Sequence, residues 1–401
     1  MKKTLVAMAA LAATGAYAQS SVTIDGIMDA NYTNAKAYGQ NYTLIDQSGA
    51  RTTTFKFTGS EDLGGGTKAK FRFEAQPSII AGNGNAYNTS GSSITAGTVA
   101  ANGSAQTTGQ ASAQSGLVGK GYNFVGAEGS FGEVQLGTIN LASLSAFGTG
   151  SGAYGTGIGS GYKHSIFADT TRIESAAVYF TPNMNGFQGR YTIGTSNDSQ
   201  YGTTTGIVLR RSAVNELGLD YAQGPIKITY ASLKSKTNPN DAAASSTAAA
   251  GSNVTTTTNT LGASYTIGSA RIGYTNQSQK NNAGADLDSV NRAVSTSASM
   301  LYGQYQMGAT RLMLSSGSRK TNSGYATVTV TDTNLAGLKG TYTGYAVEYD
   351  LSKRTYVYLR GQSQTVSDLG FTTVVVNGAT LTAMPTDKKV TVNAIGISHQ
   401  F

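Results

Sequence analysis

Charged side chains stand singly in this chain, at alternate positions of segments whose other positions are apolar. Lys70, Arg72 and Glu74 alternate with two phenylalanines, and Lys56 stands between two more. In a β-strand, this spacing sends charged and apolar side chains to opposite faces. Fixed cations on one polar face attract small anions and compensate for the water that an anion loses in a confined space. The chemistry predicted is therefore electrostatic selection between ions.

Most of the other candidates for this role also stand at alternate positions of strand-like segments. Arg172 and Glu174 begin a strand-like segment directly after a glycine-rich connection, which makes Arg172 the strongest single candidate. Arg354 and Arg360 share a face with two tyrosines, and Lys163 lies within the glycine-rich connection. Glu74 and Glu174 are predicted as partial counter-charges. For each residue the alternative is an ordinary solvated charge without a special role.

The sequence offers few residues of the types that commonly catalyse reactions. The chain has no cysteine, and its two histidines are His164 and His399, so we predict neither an enzyme nor a metal or cofactor site. The stretch Gly150–Gly155 matches G-x-G-x-x-G, but it lacks the strand and helix that a nucleotide site requires. The basic residues form no cluster of the kind that binds nucleic acid.

The first residues predict export. A basic start at Lys2 and Lys3, an apolar run over residues 5–13 and the sequence Ala16-Tyr17-Ala18 are typical of a secretory signal peptide. We expect cleavage after Ala18, which leaves one domain at 19–401. Cleavage also leaves 27 basic against 21 acidic residues, so the net charge falls from +8 to about +6.

Composition and alternation together favour a transmembrane β-barrel. Only 12% of residues are charged, against ~25% in soluble domains, and no later segment has the ~18 consecutive apolar residues of a membrane helix. Alternating segments recur with short turns at one end and long connections at the other, which is the barrel pattern. We count sixteen strands. The expected strand regions are 21–33, 51–59, 67–76, 116–127, 131–139, 171–180, 187–195, 212–222, 225–234, 257–267, 269–278, 296–306, 309–317, 342–350, 353–365 and a last one from residue 390 to Phe401.

Several short stretches resemble the Gram-negative general porins of the betaproteobacterial and neisserial type, in order along the whole mature chain. These are Ser21-Val-Thr-Ile-Asp-Gly26, Gly59-Ser-Glu-Asp-Leu-Gly-Gly-Gly66, Ser130-Phe-Gly-Glu-Val-Gln-Leu-Gly137, Tyr349-Asp-Leu-Ser-Lys-Arg-Thr355 and His399-Gln-Phe401. The resemblance implies a sixteen-stranded antiparallel barrel, assembled as a homotrimer in the Gram-negative outer membrane. It also implies passive diffusion of small hydrophilic solutes and ions, with outer-membrane lipid and lipopolysaccharide as surroundings.

The resemblance further implies that the third long connection, Asn140 to Asp169, folds into the barrel and narrows it. Phe401 is implied to be part of the signal read by the barrel-assembly machinery. The chain departs from the family pattern where neutral residues replace arginines, at Thr54, Val178, Ser398 and Gln400. Conversely, residues 140–168 contain no Asp or Glu, so the basic wall has no acidic row facing it.

We therefore expect a diffusion channel that prefers anions and also passes neutral solutes. Two alternatives stay open at this point. A channel specific for a carboxylate or phosphate would use the same basic wall together with tyrosines. A structural or adhesive barrel would have its pore closed by loops.

Overall fold

The computed structural model describes residues 21–37, 40–80, 121–162, 166–168, 170–195, 201–203, 206–208, 212–237, 254–282, 295–323, 325–328, 331–334, 339–366, 373–376, 379–382 and 389–401. The predicted signal peptide and Lys163 lie outside these ranges. Within them, neither helix is long and apolar enough to cross a membrane.

The described strands follow one another in chain order, and most of them form one wall. They are β1 (Ser21–Ala37), β2 (Gln40–Gln47), β3 (Thr54–Gly64), β4 (Thr67–Ala75), β5 (Asn123–Gly129), β6 (Gly132–Asn140), β7 (Arg172–Phe180), β8 (Phe187–Thr195), β9 (Tyr201–Thr203), β10 (Gly206–Val208), β11 (Ser212–Gln223), β12 (Ile226–Thr237), β13 (Val254–Ile267), β14 (Ala270–Asn282), β15 (Ser295–Met307), β16 (Thr310–Ser323), β17 (Tyr325–Val328), β18 (Thr331–Asn334), β19 (Lys339–Asp350), β20 (Thr355–Val366), β21 (Thr373–Val376), β22 (Ala379–Thr382) and β23 (Lys389–Gln400). The pairs β9–β10, β17–β18 and β21–β22 are small hairpins outside the wall.

The wall is a closed antiparallel barrel of 16 strands, as the sequence predicted. β1 closes it by pairing with β23, from Ile27 opposite Gln400 to Lys36 opposite Thr391. Closure removes the open sheet edge that lipid cannot satisfy.

The second position of the wall differs from the prediction of one strand at 51–59. It is broken into two pieces, with β3 pairing along the first part of β1 and β2 along its later part. Between these pieces, residues 48–53 leave the sheet. The cause lies on β1 and is described with the site.

Alternation along the strands separates a lipid face from a lumen face. On β16, Leu312 and Leu314 are exposed on the outside, while Met313 and Ser315 are buried inside. The strands connect through tight turns at one end of the barrel. Gly268 and Gly308 adopt φ of 55° and 58° there, the left-handed region that two-residue hairpin turns require.

The connection between β6 and β7 lies inside the barrel, as the resemblance implied. It forms helix α1 (Ala142–Ser151) followed by a short 3-10 turn (Gly152–Tyr154). We call its described residues, 140–162 and 166–168, the inserted loop. Its apolar side chains join those of β15, β16 and β19 in the main apolar cluster, which contains Phe147, Tyr154, Tyr162, Ile166, Phe167, Ala298, Met300, Tyr302, Met313, Tyr342 and Ala346.

Candidate functional site

Helix α1 is held at its N-terminus by a carboxylate from wall strand β11. A helix begins with unpaired N–H groups, and Leu141 offers no side-chain cap. Glu216 on β11 accepts hydrogen bonds from the backbone N–H groups of Ala142 and Ser143, the latter at 2.9 Å. The Ser143 hydroxyl donates to the same carboxylate at 2.5 Å. One buried side chain thus caps the helix and places negative charge at the positive end of its dipole.

The far end of α1 lies against wall strands that carry glycine where the helix approaches. Arg271 donates from Nη2 to the Thr149 carbonyl oxygen at 2.8 Å, which satisfies a carbonyl in the last turn. A Cβ atom on Gly262 would collide with the Ala146 carbonyl oxygen, and one on Gly273 would collide with that of Gly150. Glycine at these two positions therefore allows backbone-to-backbone packing between helix and wall.

The turn that follows α1 is fastened by Arg360. Its guanidinium donates to the carbonyl oxygens of Ala153 at 3.2 Å and Tyr154 at 3.1 Å. It also pairs with the Glu348 carboxylate, from Nη2 at 2.5 Å and from Nε at 3.0 Å. The side chains of Arg360 and Glu348 are 0% and 1% exposed. Arg360 stands on the predicted inward face, but the inserted loop covers it and it does not line the cavity described below, so its selectivity role stays a prediction.

Asp29 on β1 causes the break in the second wall strand. Its carboxylate, itself fully buried, accepts hydrogen bonds from the backbone N–H of Gly49 at 2.8 Å and of Arg51 at 3.1 Å. Tyr358 donates its hydroxyl to the same group at 2.7 Å. The segment so drawn inward meets the inserted loop, where Ile158 N–H donates to the Gly49 carbonyl oxygen at 2.8 Å.

An open cavity of ≈ 700 Å³ remains between the inserted loop and part of the inner wall. Its lining includes residues of β1, β3, β4, β16, the segment at 48–53 and the turn between β19 and β20. The lining residues are Ile27, Ala50, Arg51, Thr52, Thr54, Lys56, Arg72, Glu74, Leu144, Phe147, Gly148, Gly152, Ala153, Gly155, Thr156, Arg311, Asp350, Ser352, Lys353, Arg354, Thr355 and Tyr356. Among these described residues, six are basic and two are acidic.

Three of the six cations have carboxylate partners. Arg72 Nη2 lies 2.5 Å from Glu74 Oε2, and Lys56 pairs with Asp25. Arg311 Nη1 lies 2.6 Å from Glu348 Oε2 and is the third.

The other three cations are Arg51, Lys353 and Arg354. None of them has a carboxylate partner in the described part of the chain; Arg51 donates from Nη1 to the Gln400 side-chain oxygen at 3.2 Å. These three cations give the cavity its uncompensated positive charge.

The structure brings together only part of the predicted site. Lys56, Arg72, Glu74 and Arg354 line the cavity. Lys70 has the predicted parity, but it pairs with Glu128 at 2.7 Å and Glu133 at 3.0 Å and does not line the cavity.

Arg172 and Glu174 also lie elsewhere than the cavity lining. Arg172 Nε donates to the Asn140 side-chain oxygen at 3.3 Å, across the pairing of β6 with β7. Ser175, next to Glu174, adopts φ of 49° at an irregularity of that pairing, and Glu174 is exposed. The selectivity roles of Arg172, Glu174 and Lys163 stay predictions.

Sequence reasoning missed three cations of the cavity. Arg311 alternates with two exposed leucines on β16, so its parity alone could have identified it. Lys353 precedes Arg354 in the turn between β19 and β20, and the sequence analysis did not name it as a candidate. Arg51 was assigned to a strand, and no local signal shows that Asp29 pulls it out of the sheet.

Phe401 completes the closure of the barrel. Its backbone exchanges hydrogen bonds with Gly26, at 3.1 Å through its N–H and at 3.3 Å through its carbonyl oxygen. The ring lies where a Gly26 side chain would stand, and its centroid is 6.1 Å from that of Phe55. This aromatic contact joins β1, β3 and residue 401.

A closed barrel with an apolar outside, an inserted loop and a charged open cavity defines a β-barrel membrane channel. A family model described as Gram-negative porin matches residues 4–369. The chain belongs to this family and is an outer-membrane channel. The outer membrane porin protein 32 of Delftia acidovorans is 31% identical over 307 residues, which cover 72% of this chain and 73% of that protein.

Solved structures share the architecture. An anion-selective porin from Comamonas acidovorans superimposes with a TM-score of 0.66 at 23% identity, covering 96% of this chain and 100% of that one. OmpT, an outer membrane protein of Vibrio cholerae in its trimer form, gives a TM-score of 0.61 at 14% identity over 95% of this chain and 99% of its own. At these identities the likeness concerns the fold.

Proposed function

We propose that this porin prefers anions, and that the cations lining the cavity set the preference. The observation that carries the proposal is the excess of basic over acidic lining residues, six against two among the described ones. Arg51, Lys353 and Arg354 contribute most, because no described carboxylate neutralises them. Residues 140–168, on the other side, include no Asp or Glu.

The anion preference depends on the charges that lie close to the permeating ion. An ion that enters a narrow pore loses part of its hydration shell, and fixed charges within reach decide which sign is compensated. The Debye length is about 8 Å at physiological salt, so charges elsewhere on the barrel are largely screened. Lys70 is paired with two glutamates and is not part of the cavity lining, so we expect it to contribute little to this field. The Comamonas relative, which is described as anion-selective, supports the same direction.

The test is the zero-current potential of the purified protein in a planar bilayer across a potassium chloride gradient. We expect the sign that chloride preference produces. A potential of the opposite sign contradicts the proposal. The same recording separates the alternatives: a barrel closed by its loops gives no conductance, and a channel specific for one small anion gives saturable block by that anion.

The assembly state belongs to the proposal as well. We expect a homotrimer embedded in outer-membrane lipid and lipopolysaccharide, as the family resemblance implies, and assign the chain no catalytic activity. Mass measurement of the detergent-extracted protein before and after heating tests the trimer. A monomeric mass without heating contradicts it.

The proposed role of Phe401 in recognition by the barrel-assembly machinery rests on the same resemblance. Its ring also contributes a packing contact with Phe55, so Phe401→Leu tests the two roles together in cells. We expect a lower amount of folded protein with an unchanged conductance per channel. A normal surface level contradicts an assembly role.

A further inference from the structure

The two sides of the cavity differ in chemistry as well as in charge. The wall side carries six cations. The side formed by the inserted loop presents Leu144, Ala153 and several glycines, with Phe147 behind them. No residue from Asn140 to Tyr162 carries a charged side chain. Burial raises the pKa of the Tyr154 phenol, so this hydroxyl also stays neutral.

Several polar backbone groups of this loop are already hydrogen-bonded within the protein. Arg360 donates hydrogen bonds to the Ala153 and Tyr154 carbonyl oxygens, and the Gln304 side-chain oxygen accepts a hydrogen bond from Ala153 N–H at 3.4 Å. Gly155 N–H donates to the Gly152 carbonyl oxygen at 3.1 Å. Carbon atoms therefore make up much of what this side offers to a solute, with Thr156 adding a hydroxyl.

Apolar surface of this kind can bind the apolar body of a solute that also carries a charge. An acidic row facing the cations would orient the water between them and repel an anion from that side. Here an anion can place its carboxylate near Arg51 or Arg354 while its apolar body removes surface of Leu144 from water, which is favourable.

We infer that the cavity favours small organic monoanions with an apolar body, such as aromatic carboxylates, over equally charged anions without one. This rests on the proposed anion preference and deepens it by naming a solute class. A charge filter alone would instead rank monoanions by size and by their mobility in water.

The test compares sodium benzoate with sodium acetate as probes in reversal-potential measurements against chloride. In water acetate is the more mobile of the two, so a charge filter places benzoate below acetate. We expect the benzoate-to-acetate permeability ratio of the wild-type porin to exceed the ratio of their aqueous mobilities by about twofold or more, since partial burial of an apolar group gives factors of this order. A ratio equal to the mobility ratio overturns the inference.

Leu144 provides a matched pair of variants. Leu144→Asn replaces the apolar surface by a polar one and should return the ratio to that of the mobilities, whereas Leu144→Met should retain the wild-type ratio. An unchanged ratio in Leu144→Asn also overturns the inference. If that variant does not fold, the wild-type ratio decides alone.

Chloride selectivity, measured in the same membranes, distinguishes failure of the proposed anion preference from failure of this inference. Loss of the expected chloride preference counts against the proposed function. Chloride preference combined with a benzoate ratio that follows mobility counts against this inference only.

Discussion

Arg360 and Arg72 both stand on lumen-facing positions of the wall, and each pairs with a glutamate at 2.5 Å. They differ in what lies in front of them. The inserted loop covers Arg360, whose side chain is 0% exposed, while Arg72 faces the cavity and is 27% exposed. We call the inner-wall residues under the inserted loop the covered half, and those that line the cavity the open half. Position on the inward face alone does not make a residue part of the selective surface.

Among the substitutions proposed here, we expect Arg360→Ala to cause the largest loss of thermal stability. Arg360→Ala leaves the Ala153 and Tyr154 carbonyl oxygens without their donor and removes the buried partner of Glu348. Loss of one member of a buried ion pair costs about 3–5 kcal/mol. We expect a large drop in thermal stability of the purified protein, and a noisier open-channel current because the turn after α1 is released.

Arg311→Ala is the control for that change, because Arg311 shares Glu348 but is 25% exposed. Partly exposed pairs are worth about 1 kcal/mol or less. Equal losses of thermal stability in the two variants would contradict the distinction between the covered and the open half.

A smaller effect is expected where the helix touches the wall. Gly262→Ala places a methyl group against the Ala146 carbonyl oxygen, and overpacking of this kind costs about 1–3 kcal/mol. The helix should shift away from the wall and into the cavity, which lowers single-channel conductance. Gly303→Ala is the matched control, since a Cβ there meets no atom within 4 Å. Unchanged conductance in Gly262→Ala argues against backbone packing at this contact.

The third substitution removes the carboxylate that caps helix α1 and tests whether this contact holds the helix against the wall. Glu216→Ala removes the acceptor of the Ala142 and Ser143 N–H groups, and loss of a helix cap costs about 0.5–2 kcal/mol. We expect more frequent current fluctuations and a modest loss of thermal stability. Glu61→Ala, at an exposed position near a short turn, removes the same charge without touching the helix and should change neither quantity.

Local patterns in the sequence were enough to predict the strands of the barrel wall. Alternation of polar and apolar residues and glycine-containing turns are set by neighbours in the chain, so the number of wall strands was predicted correctly, and so were their places in the chain apart from the broken second strand. The parity of Lys56, Arg72 and Arg354 followed from the same pattern.

Contacts between distant segments decided the rest. Arg360 was placed at the constriction because its parity is correct, but its burial depends on which part of the wall the inserted loop contacts. Arg51 was missed because Asp29, on the neighbouring strand, draws its backbone out of the sheet. The buried Glu216 and Glu348 also stand on inward positions, but Glu74 does too and lines the cavity, so parity alone does not identify the residues that hold the inserted loop.

The central claim is that cations facing the cavity, rather than inward cations in general, set the ion preference. Zero-current potentials of two double variants test it most directly: Arg51→Gln/Arg354→Gln in the cavity, and Lys70→Gln/Arg172→Gln outside its lining. Both remove two positive charges. The account predicts that the first variant loses about half or more of the chloride preference, since only charges within a Debye length of the ion act strongly, and that the second stays near wild type. An equal or larger loss in the second variant would contradict the account.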